Sequence, residues 1–415
     1  MEGKSSQRNA LIFIVITMVI DSVGIGLIVP VMPALLKELL NLSADEAAPW
    51  GGYLSFAYAA MNFLFGPTIG NLSDRFGRRP VLLLALGALV VDYLIMGFAA
   101  SISVLFLGRL LAGICGATFS TAQAYIADVT VPEKRAQAFG LVGAAFGIGF
   151  ILGPGIGGLL GGITPRAPFF AAAALALVNM AYGFFVLPES LTADRRRSFE
   201  WRRANPLGAL AYLSDLPNVL WLIAAMLLFS FAHVVYPGTW NFHADARYGW
   251  DTSHIGWSLM AFGIASSLVQ GLIIRVVLRW LQPTRTVVLG LVLNVIAYSG
   301  FAMATQGWMV YAWLPFAALG AMTGPALNSL MSTRVPSSSQ GELQGALASV
   351  QGVTHMFGPI VMTQVFSFFL SDAAPVRFYG AAFALAACLT VLAALPFRLG
   401  MRAQGSPADS RRGIN

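Results

Sequence analysis

The sequence predicts an all-α membrane protein, with twelve transmembrane helices in two pseudo-symmetric six-helix bundles. Three observations carry that expectation. The 415 residues are 57% hydrophobic and only 10% charged, with a mean hydropathy of +0.73, which is more apolar surface than a water-soluble domain can cover. Crossing roughly 30 Å of hydrocarbon takes about 20 apolar residues at helical rise. Stretches near 9–33, 48–70, 80–100, 103–127, 137–162, 167–188, 219–243, 254–278, 286–304, 308–333, 341–370 and 376–397 supply them. After six of these the run is broken at 189–217 by Arg195-Arg196-Arg197 and Trp201-Arg202-Arg203. A shift of 205 residues then lays Gly140, Gly147, Gly153 and Pro154 on Gly345, Gly352, Gly358 and Pro359, so the fifth and eleventh helices look like counterparts in a parallel repeat.

The expected plan is an N-terminal six-helix bundle at 1–188, a cytoplasmic linker at 189–217, a C-terminal six-helix bundle at 218–397 and a polar cytoplasmic tail at 398–415. With both termini inside, nineteen of the twenty-five Lys and Arg are cytoplasmic and four are external, while Arg109 and Arg275 fall within spans. That asymmetry sets the orientation. The net charge of +7 follows from the same bias and suits anionic membrane lipids; it points to no nucleic acid. The first stretch is long and lacks a small-residue processing site, so it reads as a helix rather than a signal peptide.

Taken in order, the first helix carries Asp21, with Pro30 and Pro33 near its outer end. An acid in a span costs about 2.5–3.5 kcal/mol on insertion scales and normally turns toward a bundle interior or water. The plainer alternative is an acid near the interface that snorkels or caps. Between the second and third helices lies Gly70-Asn71-Leu72-Ser73-Asp74-Arg75-Phe76-Gly77-Arg78-Arg79-Pro80, a knot of charge between apolar segments. The third helix holds Asp92-Tyr93, again with no basic residue within a turn. The fourth opens with Gly108-Arg109 and runs through Gly113, Gly116 and Gln123 to Asp128. Arg109 needs an acid from another helix, and Asp21 and Asp92 are both open as its partner. The fifth helix spaces Gly149, Gly153, Pro154, Gly157 and Gly158 as a close-packing, bendable hinge surface.

The second half is less charged. Its notable polar residues are His233, Gln270, Asn294, Asn328, Gln351 and His355, each read more simply as a helix-packing hydrogen bond than as a ligand. His355 stands out because an imidazole titrates near neutral pH. The stretch holding Trp240, His243, Asp245, Arg247, Trp250, Asp251 and His254 is expected outside the membrane, with its histidines on the surface. Cys115 and Cys388 are expected to be packing residues. No Ser/His/Asp, metal-ligand or phosphate-loop constellation has a credible spacing, so no enzyme, metal or cofactor is expected.

The Gly70–Pro80 segment resembles the signature loop of the major facilitator superfamily, and Gly149, Gly153-Pro154 and Gly157-Gly158 are similar to the motif of its drug/proton antiporters. Asp21 to Pro33, Ser73 to Val81, Leu107 to Ala117 and Gly341 to Gly345 resemble the tetracycline-efflux group more narrowly. The resemblance implies a cytoplasmic gate of Asp74, Arg78 and Asp128, with Asp74 facing the start of the eleventh helix near Gly341. It also implies that Asp21, Asp92 and Arg109 are the charges of proton coupling. The group's eighth-helix histidine and ninth-helix acid fall here on Ser266 and Asn294, while Gln270 is retained. The loop at Arg275 to Arg285 lacks the glycines and the acid of its counterpart, so gating should be asymmetric.

The expected function is proton-coupled export of a small amphipathic drug-like compound by alternating access, with an altered second-half substrate site. Candidate cavity residues are Gln123, Ser266, Gln270, Asn294, Gln351 and His355. The expected partners are that small molecule, protons and lipids, and the chain is expected to act as a monomer in a bacterial inner membrane. The same scaffold would also serve transport of a metabolite, lipid or siderophore, or a non-transporting membrane sensor.

Overall fold

Every regular element is helical among the residues that the computed structural model describes, 2–116, 118–200, 219–336 and 339–402. Trp201, Arg202, Arg203 and the tail from 403 to 415 lie outside them. Among the described residues, nine helical runs are long and apolar enough to cross a bilayer: Ile12–Leu40, Arg78–Phe98, Gln137–Gly161, Ala167–Val186, Leu220–Tyr248, Thr252–Trp280, Pro283–Met303, Gly307–Ser332 and Ala381–Arg402. Three more helical runs complete the twelve. The second helix, Ala44–Phe76, is diluted by Asp45, Glu46, Asp74 and Arg75 at its ends. The fourth stops at Cys115 and resumes as Thr118–Val129. The eleventh, Gln340–Phe368, carries Glu342, Gln344, Gln351 and His355. Helices are numbered below in this chain order.

Local chemistry explains the boundaries. Pro30 and Pro33 do not end helix 1; the chain passes through a 3₁₀ turn at Val29–Val31 and continues as Met32–Leu40, several residues beyond the expected span. It stops where Asn41 takes a left-handed conformation, φ 53°, and donates its N–H to the Lys37 carbonyl. Helix 2 then begins after Ser43, whose N–H donates to Glu46 Oε2 at 3.0 Å.

The chain divides into two compact units, Met1–Pro206 with Trp240–Ile264, and Leu207–Thr239 with Ala265–Asn415. The adjoining ends of helices 7 and 8 thus belong to the first unit. There, helix 5 lies along helix 1. A Cβ on Gly149 would meet Ser22 and Val19, one on Gly153 would lie 2.7 Å from Gly26 Cα, and one on Gly157 would meet Leu27. Lipid tails give helices no hydrophobic reason to associate, so bare backbone faces and the dispersion they allow take that role. The opposite face of helix 5 meets helix 8, where Ser253 Oγ donates to the Gly158 carbonyl at 3.1 Å. Phe13, Ile14, Met18, Leu82, Tyr125 and Ile126 form the core beside it.

In the second unit Leu222, Phe229, Leu291, Met331, Leu343 and Phe397 come together in a core drawn from five helices. His233 stacks on Phe229 and meets Tyr236 edge to face, ring centroids 5.7 and 5.2 Å away, with Nδ1 3.3 Å from the Tyr298 hydroxyl. Helix 8 changes to a π-helical turn at Val269–Ile273. On the outside of both units, large apolar side chains stand exposed, among them Leu84 at 73%, Phe185 at 83% and Trp280 at 83%. Patches like these are liabilities in water and are what lipid covers. Cys388 shares that exposure and Cys115 is half-buried, so the expectation of packing cysteines is corrected: Cys388 faces outward from helix 12.

Candidate functional site: a charged latch and a buried ion pair

Gly70–Pro80 is less a loop than a sharp corner between two helices. Helix 2 runs to Phe76, Gly77 turns at φ +106°, and helix 3 starts at Arg78. Gly77 is required twice, because side chains are strained at that φ and a Cβ there would run into the Glu189 carboxylate. Glu189 occupies the N-terminus of helix 3. Its Oε1 accepts the Arg78 N–H at 2.8 Å and its Oε2 the Arg79 N–H at 3.3 Å, so a negative charge sits where the helix dipole favours one. The N–H groups of Ser190 and Leu191 reach the same Oε1 at 3.0 and 3.1 Å.

The Arg78 side chain bridges two acids. Nη2 lies 2.6 Å from Asp74 Oδ1 and Nε lies 3.2 Å from Asp128 Oδ2, with Ser73 Oγ on Nη1. Ser190 Oγ donates to the same Asp128 oxygen at 3.2 Å. The segment after helix 6 is tied in as well, since the Arg197 N–H donates to the Asp74 carbonyl at 3.1 Å. A cavity of about 490 Å³ opens beside the cluster, lined by Asp74, Arg78, Asp128, Leu191, Arg195 and Arg197. Glu189 was missed by sequence reasoning. The available signal was Pro188-Glu189-Ser190 directly after helix 6, a helix stop followed by an acid.

The second constellation lies inside the membrane span. Asp92 is 1% exposed and its Oδ2 accepts from Arg109 Nη2 at 2.6 Å, which decides between the two open partners: the ion pair is made with Asp92. Arg109 Nη2 also contacts Met96 Sδ at 2.7 Å, and the guanidinium carbon lies 5.6 Å from the Tyr58 ring centre. Asp92 Oδ1 and Arg109 Nε are buried without hydrogen-bond partners. Asp21 sits half-buried on helix 1 and makes no hydrogen bond or ion pair among the described residues. Gly24, one turn along, packs against the Tyr93 hydroxyl, which brings the Asp21 turn and the Asp92-Tyr93 turn to the same helix contact.

At the opposite end of the first unit, the extension of helix 1 is strapped down on two sides. Lys37 Nζ pairs with Asp245 Oδ2 at 2.6 Å, and Glu38 pairs with Arg166 at 3.1 Å. Arg166 in turn donates to the Gly97 and Ala99 carbonyls at 3.0 and 2.7 Å, capping helix 3 with a cation. Asn241 Nδ2 donates to the Val29 carbonyl at 2.9 Å. His243 corrects an expectation: it is 1% exposed rather than on the surface, because the Trp240 and Tyr248 rings, 6.0 and 5.5 Å away, enclose it. Asp251 and His254 do remain exposed. The Asp251 carboxyl is held below its usual range, first by the backbone N–H of His254.

The cavity candidates separate into two kinds. Gln123, Gln270, Gln351 and His355 are exposed, Gln351 and His355 one turn apart on helix 11, and Gln270 inside the π-helical turn where ligand-contacting residues are frequent. Ser266 is 9% exposed with an unpartnered hydroxyl. Asn294 is 0% exposed, so the structure corrects its placement on a cavity wall. Its Nδ2 donates to the Gly290 and Gly320 carbonyls at 2.9 and 2.8 Å, and Gly320 lies flat against it. Asn294 therefore fastens helix 9 to helix 10. Asn328 similarly accepts from Gln344 across helices 10 and 11 at 3.3 Å.

A family model described as the Major Facilitator Superfamily matches residues 14–359. The tetracycline resistance protein, class C, of Escherichia coli is 38% identical over 360 residues, 87% of this chain and 90% of that one. The class B protein of the same organism is 36% identical over 413 residues, 98% of this chain and 99% of that one. Multidrug resistance protein 2 of Bacillus subtilis (strain 168) is 29% identical over 369 residues, 86% and 88% of the two chains. Among solved structures, a bacterial homolog of the human lysosomal transporter Spinster superposes with a TM-score of 0.80 at 16% identity, covering 97% of this chain and 99% of that one. The human organic anion transporter MFSD10 does so with a TM-score of 0.67 at 22% identity, covering 95% and 99%. The chain belongs to the Major Facilitator Superfamily, a family of membrane transporters and not of enzymes.

Proposed function

We propose that this protein is a proton-coupled exporter of small amphipathic drugs of the tetracycline-like class. The observation that carries the reading is the pair of acids in the span. Asp92 is neutralised by Arg109, whereas Asp21 has no cation among the described residues. A carboxylate in an apolar span is costly unless paired, protonated or wetted. Binding and release of a proton at Asp21 and Asp92, with Arg109 as the permanent positive charge, would couple the proton gradient to the movement of cargo. The similarity to tetracycline and multidrug resistance proteins over most of the chain supports drug export as the direction and cargo class.

The finer assignments follow from the same observations. Asp74, Arg78 and Asp128 act as the gate at the arginine-rich end, and the charge asymmetry supports placing that end and both termini in the cytoplasm of a bacterial inner membrane. The repeat supports two six-helix halves joined at 189–217, with Gly149, Gly153, Pro154 and Gly157 as the hinge surface on helix 1. In this scheme the chain acts as a monomer. The substrate site is altered relative to the tetracycline-efflux group: Ser266 offers a neutral hydroxyl, and Asn294 acts through helix packing rather than by contact with cargo.

The test is transport into inside-out membrane vesicles with an acid interior. Tetracycline and a panel of amphipathic drugs are supplied outside, and accumulation is expected to collapse when a protonophore removes the gradient. Accumulation of every transported compound at the same rate with and without the gradient would refute proton coupling.

A further inference from the structure

Helix 4 turns one face, made of Arg109, Gly113 and Gly116, toward the Tyr58–Asn62 turn of helix 2. A Cβ on Gly113 would strike the Tyr58 carbonyl, and one on Gly116 would lie 2.5 Å from Asn62 Nδ2. These bare positions let the two backbones close until the Tyr58 ring lies 5.6 Å from the Arg109 guanidinium carbon. One turn further along helix 2, Asn62 Nδ2 donates to the Gly116 carbonyl at 3.3 Å, at the point where helix 4 has stopped after Cys115. Neither Tyr58 nor Asn62 belongs to the latch or to the ion pair.

We infer that Tyr58 and Asn62 are positioning residues that seat Arg109 against Asp92. The inference deepens the coupling role given above to Asp92 and Arg109 and rests on it. The two contacts that hold the guanidinium differ in kind. Its attraction to Asp92 depends on the carboxylate being ionised, whereas the negative face of the Tyr58 ring attracts it whatever the state of the acid. When Asp92 takes up a proton, Arg109 would otherwise be a buried cation with no partner to hold it in register. The ring keeps it in place, so that the carboxylate meets the same cation when the proton leaves. Asn62 fixes the interrupted backbone seven residues beyond Arg109.

The test compares wild type, Asp92→Asn, Tyr58→Leu and Tyr58→Phe in proteoliposomes, reading tetracycline-driven proton flux with an entrapped pH dye. Tetracycline affinity and the thermal midpoint are measured on the same preparations. Tyr58→Phe keeps the ring face and is expected to match wild type. Tyr58→Leu is expected to lose about tenfold in proton flux, between the sizes of an exposed and a desolvated cation–π contact, with affinity unchanged and the midpoint lowered by no more than about a few degrees. If Tyr58→Leu does not fold, Tyr58→Met supplies bulk without a ring and carries the same expectation. Full flux in the folded ringless variant, or equal loss in Tyr58→Phe, would overturn the seat. Full flux in Asp92→Asn would instead overturn the coupling assignment on which the seat depends.

Discussion

The corner after helix 2 and the turn after helix 8 hold corresponding places in the two halves of the repeat, and both are basic. In the first, Arg78 is 11% exposed and spans two carboxylates while Glu189 caps the helix that follows. Around the second, Arg275 and Arg279 at the end of helix 8 and Arg285 at the start of helix 9 are exposed and make no ion pair among the described residues, and Trp280 stands 83% exposed before the extended Leu281. The difference teaches that arginines alone do not make a latch. Positive charge is present in both places, but only where acids converge and a glycine lets the chain turn sharply does the charge become a fixed structure.

Substitutions at the two loops should therefore differ steeply in effect. The largest loss is expected for Arg78→Ala, which leaves Asp74 and Asp128 facing each other without their shared cation. A destabilisation of about 3 kcal/mol is expected, at the low end of what breaking a buried pair costs, because these acids are partly hydrated. Denaturation in detergent reads the effect, and a midpoint equal to wild type would mean that the cluster is ornamental. Gly77→Ala should follow at about 2 kcal/mol, from a strained φ and the collision with Glu189. Part of that loss should return in the double variant with Glu189→Ala, and a strictly additive double variant would deny the contact.

Glu189→Gln keeps one acceptor oxygen at the start of helix 3 but removes the charge and turns the other acceptor into an NH2 donor, so about 1 kcal/mol should be lost, less at high salt. A salt-independent effect would show that the charge does not matter there. The smallest change belongs to the other loop: Arg279→Gln should stay within about 0.5 kcal/mol of wild type. A loss as large as that of Arg78→Ala would erase the contrast.

Much of this fold was legible before any coordinates. A period of apolar segments long enough to cross hydrocarbon depends only on composition, and the fifth-helix glycine spacing depends only on helical geometry, so both could be read along the chain. Partnerships could not. Whether Arg109 meets Asp21 or Asp92 is set by the rotation of three helices about their axes, which small residues scattered over the bundle decide jointly. Glu189 escaped notice because its role is to accept backbone N–H groups from a helix more than a hundred residues earlier. His243 and Asn294 were misplaced for a related reason. Polar residues near helix ends or in spans suggest water or ligand, yet aromatic rings enclose the first and two backbone carbonyls take up the amide of the second.

The most direct test of the central claim is proton flux driven by tetracycline in proteoliposomes carrying Asp21→Asn or Asp92→Asn, compared with wild type at equal protein content. Both variants should bind drug yet lose at least about tenfold of the coupled proton movement. Full drug-driven flux in both would contradict the assignment of these two acids to coupling.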